Sequence, residues 1–168
     1  MKQPGMIHNV IVTNEHGTIL LSTYWDGSSA SERGKFEHDL YLQTREEWGE
    51  ITPSKEDAGK YDTYKTHVSL VEDKCVVYKK TSDVVFFITG SGEYTELILN
   101  EVLNVIMNGF LAMCPKKRIS AAEFANDNTY GKMVAILDQI VYMVGLSVDA
   151  HRTGSILSVG YRHCGRAR

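Results

Sequence analysis

This sequence predicts an α+β fold: a five-stranded antiparallel sheet with helices on its faces, in the order β-β-α-β-β-β-α-α. Three observations predict it. Short β-branched and aromatic runs occur in two groups on either side of a helical pattern. Val84-Val-Phe-Phe-Ile88 is a continuous apolar run, which suits a central strand covered on both faces. Finally, the second half of the chain carries two apolar stripes at helical spacing, which need a sheet to cover.

Ile7 to Thr13 and Thr18 to Trp25 read as a hairpin around the turn Asn14-Glu15-His16-Gly17. Ser29 with Glu32 three residues on is a capping box, and Phe36, Leu40 and Thr44 follow at helical spacing. They predict a helix of about four turns at 3.6 residues per turn. Arg45 to Thr66 then turns polar, with Gly49, Pro53 and Gly59 as breakers, and reads as a surface loop. Its length exceeds the roughly 12–15 residues of ordinary connections, which suits a solvated insertion or a partner contact.

His67 to Val71, Cys75 to Lys80 and Val84 to Thr89 give three more strands, joined at Glu72-Asp73-Lys74 and Thr81-Ser82-Asp83. After Gly90-Ser91-Gly92 comes the strongest helix, with Leu97, Ile98, Val102, Val105, Ile106, Phe110 and Met113 as its stripe and Pro115 as its stop. Leu97, Val102 and Ile106 are expected to be buried. Ser120 and Glu123 form a second capping box, and Asn126-Asp-Asn128 is a candidate interruption. Met133, Leu137, Ile140 and Val144 carry the last stripe to Gly145, and a basic tail, Arg162 to Arg168, is expected to fray.

With 168 residues the chain has the length of one domain, 1–168, and a formal net charge of −3 gives no broad nucleic-acid footprint. The opening Met1-Lys-Gln-Pro-Gly has no hydrophobic signal core, and no stretch is expected to reach the roughly 18 apolar residues of a membrane span. A cytoplasmic protein follows as the expectation. Cys75, Cys114 and Cys164 lack CxxC spacing, which fits reduced thiols better than a zinc site or disulfide framework. Cys164 is too far from the end for prenylation, and Lys2 stands where myristoylation needs Gly. Membrane contact would therefore come through a partner.

No catalytic, cofactor or metal residues can be assigned. Gly90-Ser91-Gly92 sits where phosphate loops sit, but Thr95 occupies the third glycine position of GxGxxG and there is no GK[ST]. Glu93 and Glu96, expected in the first turn of the helix, would favour its dipole and repel a phosphate. The six histidines (His8, His16, His38, His67, His151 and His163) show no ligand spacing. Ser22, Ser69 and Ser91 lack the GxSxG elbow, so a triad could come only from long-range geometry. Asp138, next to Leu137 in the last stripe, reads as a solvated carboxylate that could approach an interface, although neighbouring side chains point about 100 degrees apart. Lys116-Lys117-Arg118 would add only about 1 kcal/mol per residue at an anionic membrane, so its plainer role is to complement a helix end.

The segment Val76-Val-Tyr-Lys-Lys-Thr-Ser-Asp83-Val-Val-Phe-Phe-Ile-Thr-Gly-Ser91, followed by Glu96-Leu97 and Val102-Leu103-Asn104, resembles the zeta subunit of the COPI coat. The hairpin from Asn9 to Asp26, Phe36-Glu37 and Leu137-Asp138-Gln139-Ile140-Val141 extend the likeness over most of the chain. Gln139 and Tyr142 depart from it, since zeta subunits usually carry acidic residues there. Tyr130-Gly-Lys132 through Leu137-Asp138 to Gly145-Leu146, with Glu93-Tyr94 and Glu96-Leu97, is similar to the small subunit of the TSET (TPLATE) complex. Clathrin-adaptor sigma subunits share the fold; Lys79-Lys80 partly fits their basic pair after the Tyr, whereas Arg118-Ile119-Ser120 does not fit their Glu-Leu-Asp.

The resemblance implies a longin-like, non-catalytic small subunit of a vesicle coat, with COPI-type Golgi and ER transport favoured over TSET or clathrin-adaptor transport. It implies as partner a large helical-solenoid subunit, gamma-COP if this is zeta, and recruitment to membranes by an Arf-family GTPase. The surface that binds the large subunit is not located by the sequence, and the sigma-type pocket for dileucine cargo signals is not recognisable. A longin subunit of a tethering complex is the other reading, suggested by Ile7-His8-Asn9 ahead of the glycine-turn hairpin. A SNARE would need a heptad region and a membrane anchor after the domain, and these 168 residues hold neither.

Overall fold

The structure is a computed structural model that describes residues 5–50 and 65–153. The strands are β1 (Met6–Asn14), β2 (Ile19–Tyr24), β3 (His67–Val71), β4 (Lys74–Thr81) and β5 (Val84–Ser91). They form one antiparallel sheet in the order β2-β1-β5-β4-β3. The helices are α1 (Ala30–Glu50), α2 (Glu96–Met113), the single turn α3 (Ala121–Phe124) and α4 (Asp127–Thr153).

β5 lies in the middle of the sheet, and alternation assigns its side chains to two cores. Val84, Phe86 and Ile88 face α2 and α4 together with Val10, Val12 and Val77. Val85 and Phe87 face α1 with Ile11, Val76 and Tyr78. The continuous apolar run is thus explained by burial on both faces. The β3–β4 turn is a two-residue hairpin with Glu72 and Asp73 both at positive φ, the left-handed geometry that suits the twist of paired strands.

α1 begins as the capping box predicts. The Ser29 backbone N–H and hydroxyl both donate to Glu32 Oε2 at 2.7 Å. Its C-terminal extent corrects the expected loop at Arg45 to Thr66, because Arg45–Glu50 continue the helix. Trp48 decides this: it is 3% exposed and packs on Phe87, with ring centroids 5.3 Å apart. Phe36, Leu40, Thr44 and Trp48 form one row of buried side chains at four-residue steps. Residues 51–64 of the expected loop, and the tail Arg162 to Arg168, lie outside the described residues.

α2 is the helix between the sheet and α4, but its register differs from the expected stripe. Leu99, Val102, Leu103, Ile106, Met107 and Phe110 are buried, whereas Leu97 is 69% exposed and Val105 is also outward. Of the expected stripe, Val102, Ile106 and Phe110 face inward, while Leu99, Leu103 and Met107 take the inward places expected of Leu97, Ile98 and Val105. α2 is also long and apolar enough, by length and composition alone, to cross a membrane, which corrects the expectation that no stretch approaches that length. Here its apolar side is occupied by β4, β5 and α4. It ends at Met113, and the Cys114 N–H closes the last turn onto the Phe110 and Leu111 carbonyls before Pro115.

The second capping box does not form. Ser120 is the N-cap of α3 but makes no side-chain cap bond, and the Ala121 N–H instead donates to Asp83 Oδ2 at 3.2 Å. The interruption at Asn126 is real: α3 ends at Phe124, α4 starts at Asp127, and the Asn126 side chain accepts the Thr129 N–H at 3.2 Å.

Candidate partner-binding surface

The glycine turn serves packing. A Cβ on Gly90 would sit 2.8 Å from Leu99 Cδ2 and 3.0 Å from Tyr94 Cβ, so the glycine is what lets α2 approach the end of β5. Gly92 lies at φ 69, in the left-handed region. α2 starts only at Glu96, with Thr95 as its N-cap, so Glu93 lies before the helix and Glu96 alone occupies the first turn. This corrects the expected placement of both carboxylates in that turn.

Long-range geometry does assemble a polar trio that spacing could not reveal, since its members lie 18 and 83 residues apart. His8 Nε2 is 2.7 Å from Ser91 Oγ, and His8 Nδ1 is 3.3 Å from Asp26 Oδ2. The connectivity is that of a nucleophile, a base and an orienting carboxylate. Its surroundings are structural, however. Asp26 accepts from Ser28 Oγ at 2.6 Å and from the Ser28 N–H at 3.1 Å, and Lys74 Nζ is 3.5 Å away. Neither the cavity bounded by Trp25 and Tyr94 nor the small one bounded by Asp26 and Lys74 has His8 or Ser91 in its wall. The trio ties the start of β1, the end of β5 and the segment after β2 into one corner.

Burial, then the Lys74 charge, hold the His8 imidazole below its ordinary value against the opposing effect of Asp26. Burial raises the Asp26 carboxyl, but the two Ser28 hydrogen bonds and Lys74 outweigh it, so the group lies below its usual range.

Among the described residues no group of three or more His, Cys, Asp or Glu side chains is placed to hold a metal ion. Cys75 and Cys114 are free thiols; burial pushes Cys114 up to about 11. Cys164, His151 and His163 have no described side chains. Lys117 Nζ donates to the Ala112 carbonyl at 3.3 Å and Arg118 Nη2 to Ser82 Oγ at 2.8 Å, so two members of the basic cluster serve the end of α2 and the neighbouring turn. Asp138 is exposed on α4, at the wall of a cavity.

The segments that carried the resemblance meet in space. Lys79, on β4, is fully buried, and its Nζ donates to Asn104 Oδ1 on α2 at 2.7 Å. Asp83, in the following turn, caps α3. These residue types therefore hold strand, turn and helices together, and they are placed for architecture.

What the fold leaves outward is apolar in several places. Val68 and Leu70 are exposed on β3, an edge strand. Leu97, Ile98 and Val105 are exposed on α2, and Tyr142, Met143 and Leu146 on α4. Single exposed apolar residues are ordinary, but such sets on an edge strand and two helices mark candidate contact surfaces.

Residues 6–158 match the family model described as clathrin adaptor complex small chain. The chain is 26% identical over 136 residues to the TSET complex member tstD of Dictyostelium discoideum, covering 81% of this chain and 80% of that protein. It is 27% identical over 134 residues to the human coatomer subunit zeta-1, covering 79% of this chain and 64% of that protein. A chain in a homology model of the full-length AP-3 complex aligns at 12% identity with a TM-score of 0.48, over 89% of this chain and 98% of that one.

Proposed function

Because the chain belongs to the clathrin adaptor complex small chain family, we propose that it is the non-catalytic small subunit of a heterotetrameric vesicle coat, bound to a large helical-solenoid subunit. Its fold is the longin-like α+β sheet with helices on both faces. The observation that carries the reading is the set of outward apolar side chains on β3, α2 and α4, with Leu70 at 64% exposure and Leu97 at 69%. A permanent partner would bury about 2,000 Å² or more, and such side chains are what it would cover.

A TSET-type coat is supported by the match to tstD, which extends over 80% of that protein. The COPI reading, in Golgi and ER transport, is supported by the Val76-Val-Tyr-Lys79 and Val102-Leu-Asn104 segments and by the zeta match over 64% of that protein. In either case the protein works in the cytoplasm and reaches the membrane through the coat, recruited by an Arf-family GTPase. Co-expression with a TSET large chain and with gamma-COP separates the two. A stable complex with one of them identifies the coat, and failure to bind either of these or a clathrin-adaptor large chain removes the coat reading.

A further inference from the structure

Residues from four parts of the chain line an open cavity of about 550 Å³ at one end of the sheet. Its wall includes Ile7 at the start of β1, Trp25 just after β2, Tyr94 just before α2, and Asp138, Val141 and Tyr142 on α4. The volume lies within the range of ligand pockets, roughly 300–1,000 Å³. Asp138, Val141 and Tyr142 are at helical spacing i, i+3 and i+4, so one face of α4 overhangs the cavity.

The chemistry of the wall is selective. Three aromatic side chains and three other apolar ones, Met6, Ile7 and Val141, share the wall with a single charged group, the Asp138 carboxylate. Among the described residues no ion pair engages that carboxylate. An anion would be repelled, and a purely apolar occupant would strip water from the carboxylate with nothing in return. A cation on an apolar stem meets both demands: its charge faces the carboxylate and the negative faces of the rings, and its methylenes face Ile7 and Val141.

We propose that this cavity receives a basic side chain, arginine or lysine, presented by the large coat subunit. The identity of the partner rests on the coat reading above. The cation selectivity of the cavity does not. Trp25 lies in the wall and reports on occupancy, whereas Trp48 is buried in the opposite core.

The test titrates the full chain with N-acetyl-arginine amide and N-acetyl-lysine amide, with N-acetyl-norleucine amide and N-acetyl-glutamate amide as controls, following tryptophan fluorescence. A saturable response to the two cations is expected, absent in Trp25→Phe and weakened about tenfold in Asp138→Asn and in Tyr142→Ala. An equal response to norleucine amide, an unaltered response in Asp138→Asn, or no response at all would overturn the cation site. A response seen only when Arg162, Arg166 and Arg168 are changed to Ser would assign the cavity to the chain's own basic tail, and would overturn the partner as occupant. In co-expressed complexes, Asp138→Asn is expected to weaken the large subunit's binding about tenfold, and undiminished binding also overturns the partner as occupant. If no large subunit binds even the unaltered chain, the coat reading fails, while the amide titration still decides the cation site.

Discussion

Lys79 and Asn104 are joined by a 2.7 Å hydrogen bond in which the ammonium of a fully buried lysine donates to the side-chain carbonyl of an asparagine on the helix above it. A buried ammonium is tolerated only where its protons are accepted, because desolvation otherwise disfavours the charge. The bond therefore fixes α2 against β4 at a defined rotation and translation, with Met107 and Leu103 buried one turn or less away.

Asn104→Ala should cost about 1.5–3 kcal/mol, the range for a hydrogen bond to a charged group whose partner is left behind. Lys79→Met, which removes the charge and fills its stem's space, should cost less. A double-mutant cycle by urea unfolding checks the coupling, and additive effects of the two changes would contradict it.

Trp48→Ala should cost about 3–5 kcal/mol, as for a large aromatic removed from a core, because the ring fills the space between α1 and Phe87. Leu97→Ala should change stability by no more than about 0.5 kcal/mol, since the side chain is outward. Thermal or urea unfolding of both variants tests the two corrected positions together; a larger loss at Leu97 than at Trp48 would restore the sequence-derived pattern.

Those two residues show how far the sequence could be read. The sheet was legible because its alternation and the Val84–Ile88 run depend on local order alone. Trp48 was obscured by its polar neighbours Arg45, Glu46 and Glu47, although it continues the four-residue steps of Phe36, Leu40 and Thr44. Leu97 is exposed because it lies about 200 degrees round the helix from Leu99, which is buried against the end of β5, and apolar residues on both sides of that first turn leave its register ambiguous. The His8, Asp26 and Ser91 corner was invisible for another reason: a β-bulge between Ile7 and Asn9 sets its geometry. The cavity at Asp138 depends on the packing of α4 over the ends of β1 and β2, which no spacing encodes.

Gly90→Ala should destabilise by about 1–3 kcal/mol, the usual penalty of overpacking, because the added methyl would meet Leu99 at 2.8 Å. Leu99→Ala should relieve part of that strain. A Gly90→Ala, Leu99→Ala double variant less stable than the sum of its single changes predicts would show that the close approach of α2 is not what the glycine serves.

Stability should fall on mild acidification. The His8 imidazole is held below its ordinary 6.5 by burial and then Lys74, and His67 by burial and then the Lys65 charge. The unfolded chain therefore takes up these protons more readily than the folded one, so the stabilisation is complete above about pH 6.5 and is lost as the pH falls through the folded values. Asp26, held below its ordinary 3.8, adds a second loss at lower pH. The urea midpoint should accordingly be level between about pH 7 and 8 and decline below about pH 6.5, with a slope of at most about 1.4 kcal/mol per pH unit for each histidine. His8→Gln should flatten this decline and leave the part due to His67. An unchanged midpoint down to about pH 5 would mean that neither imidazole resists protonation in the fold.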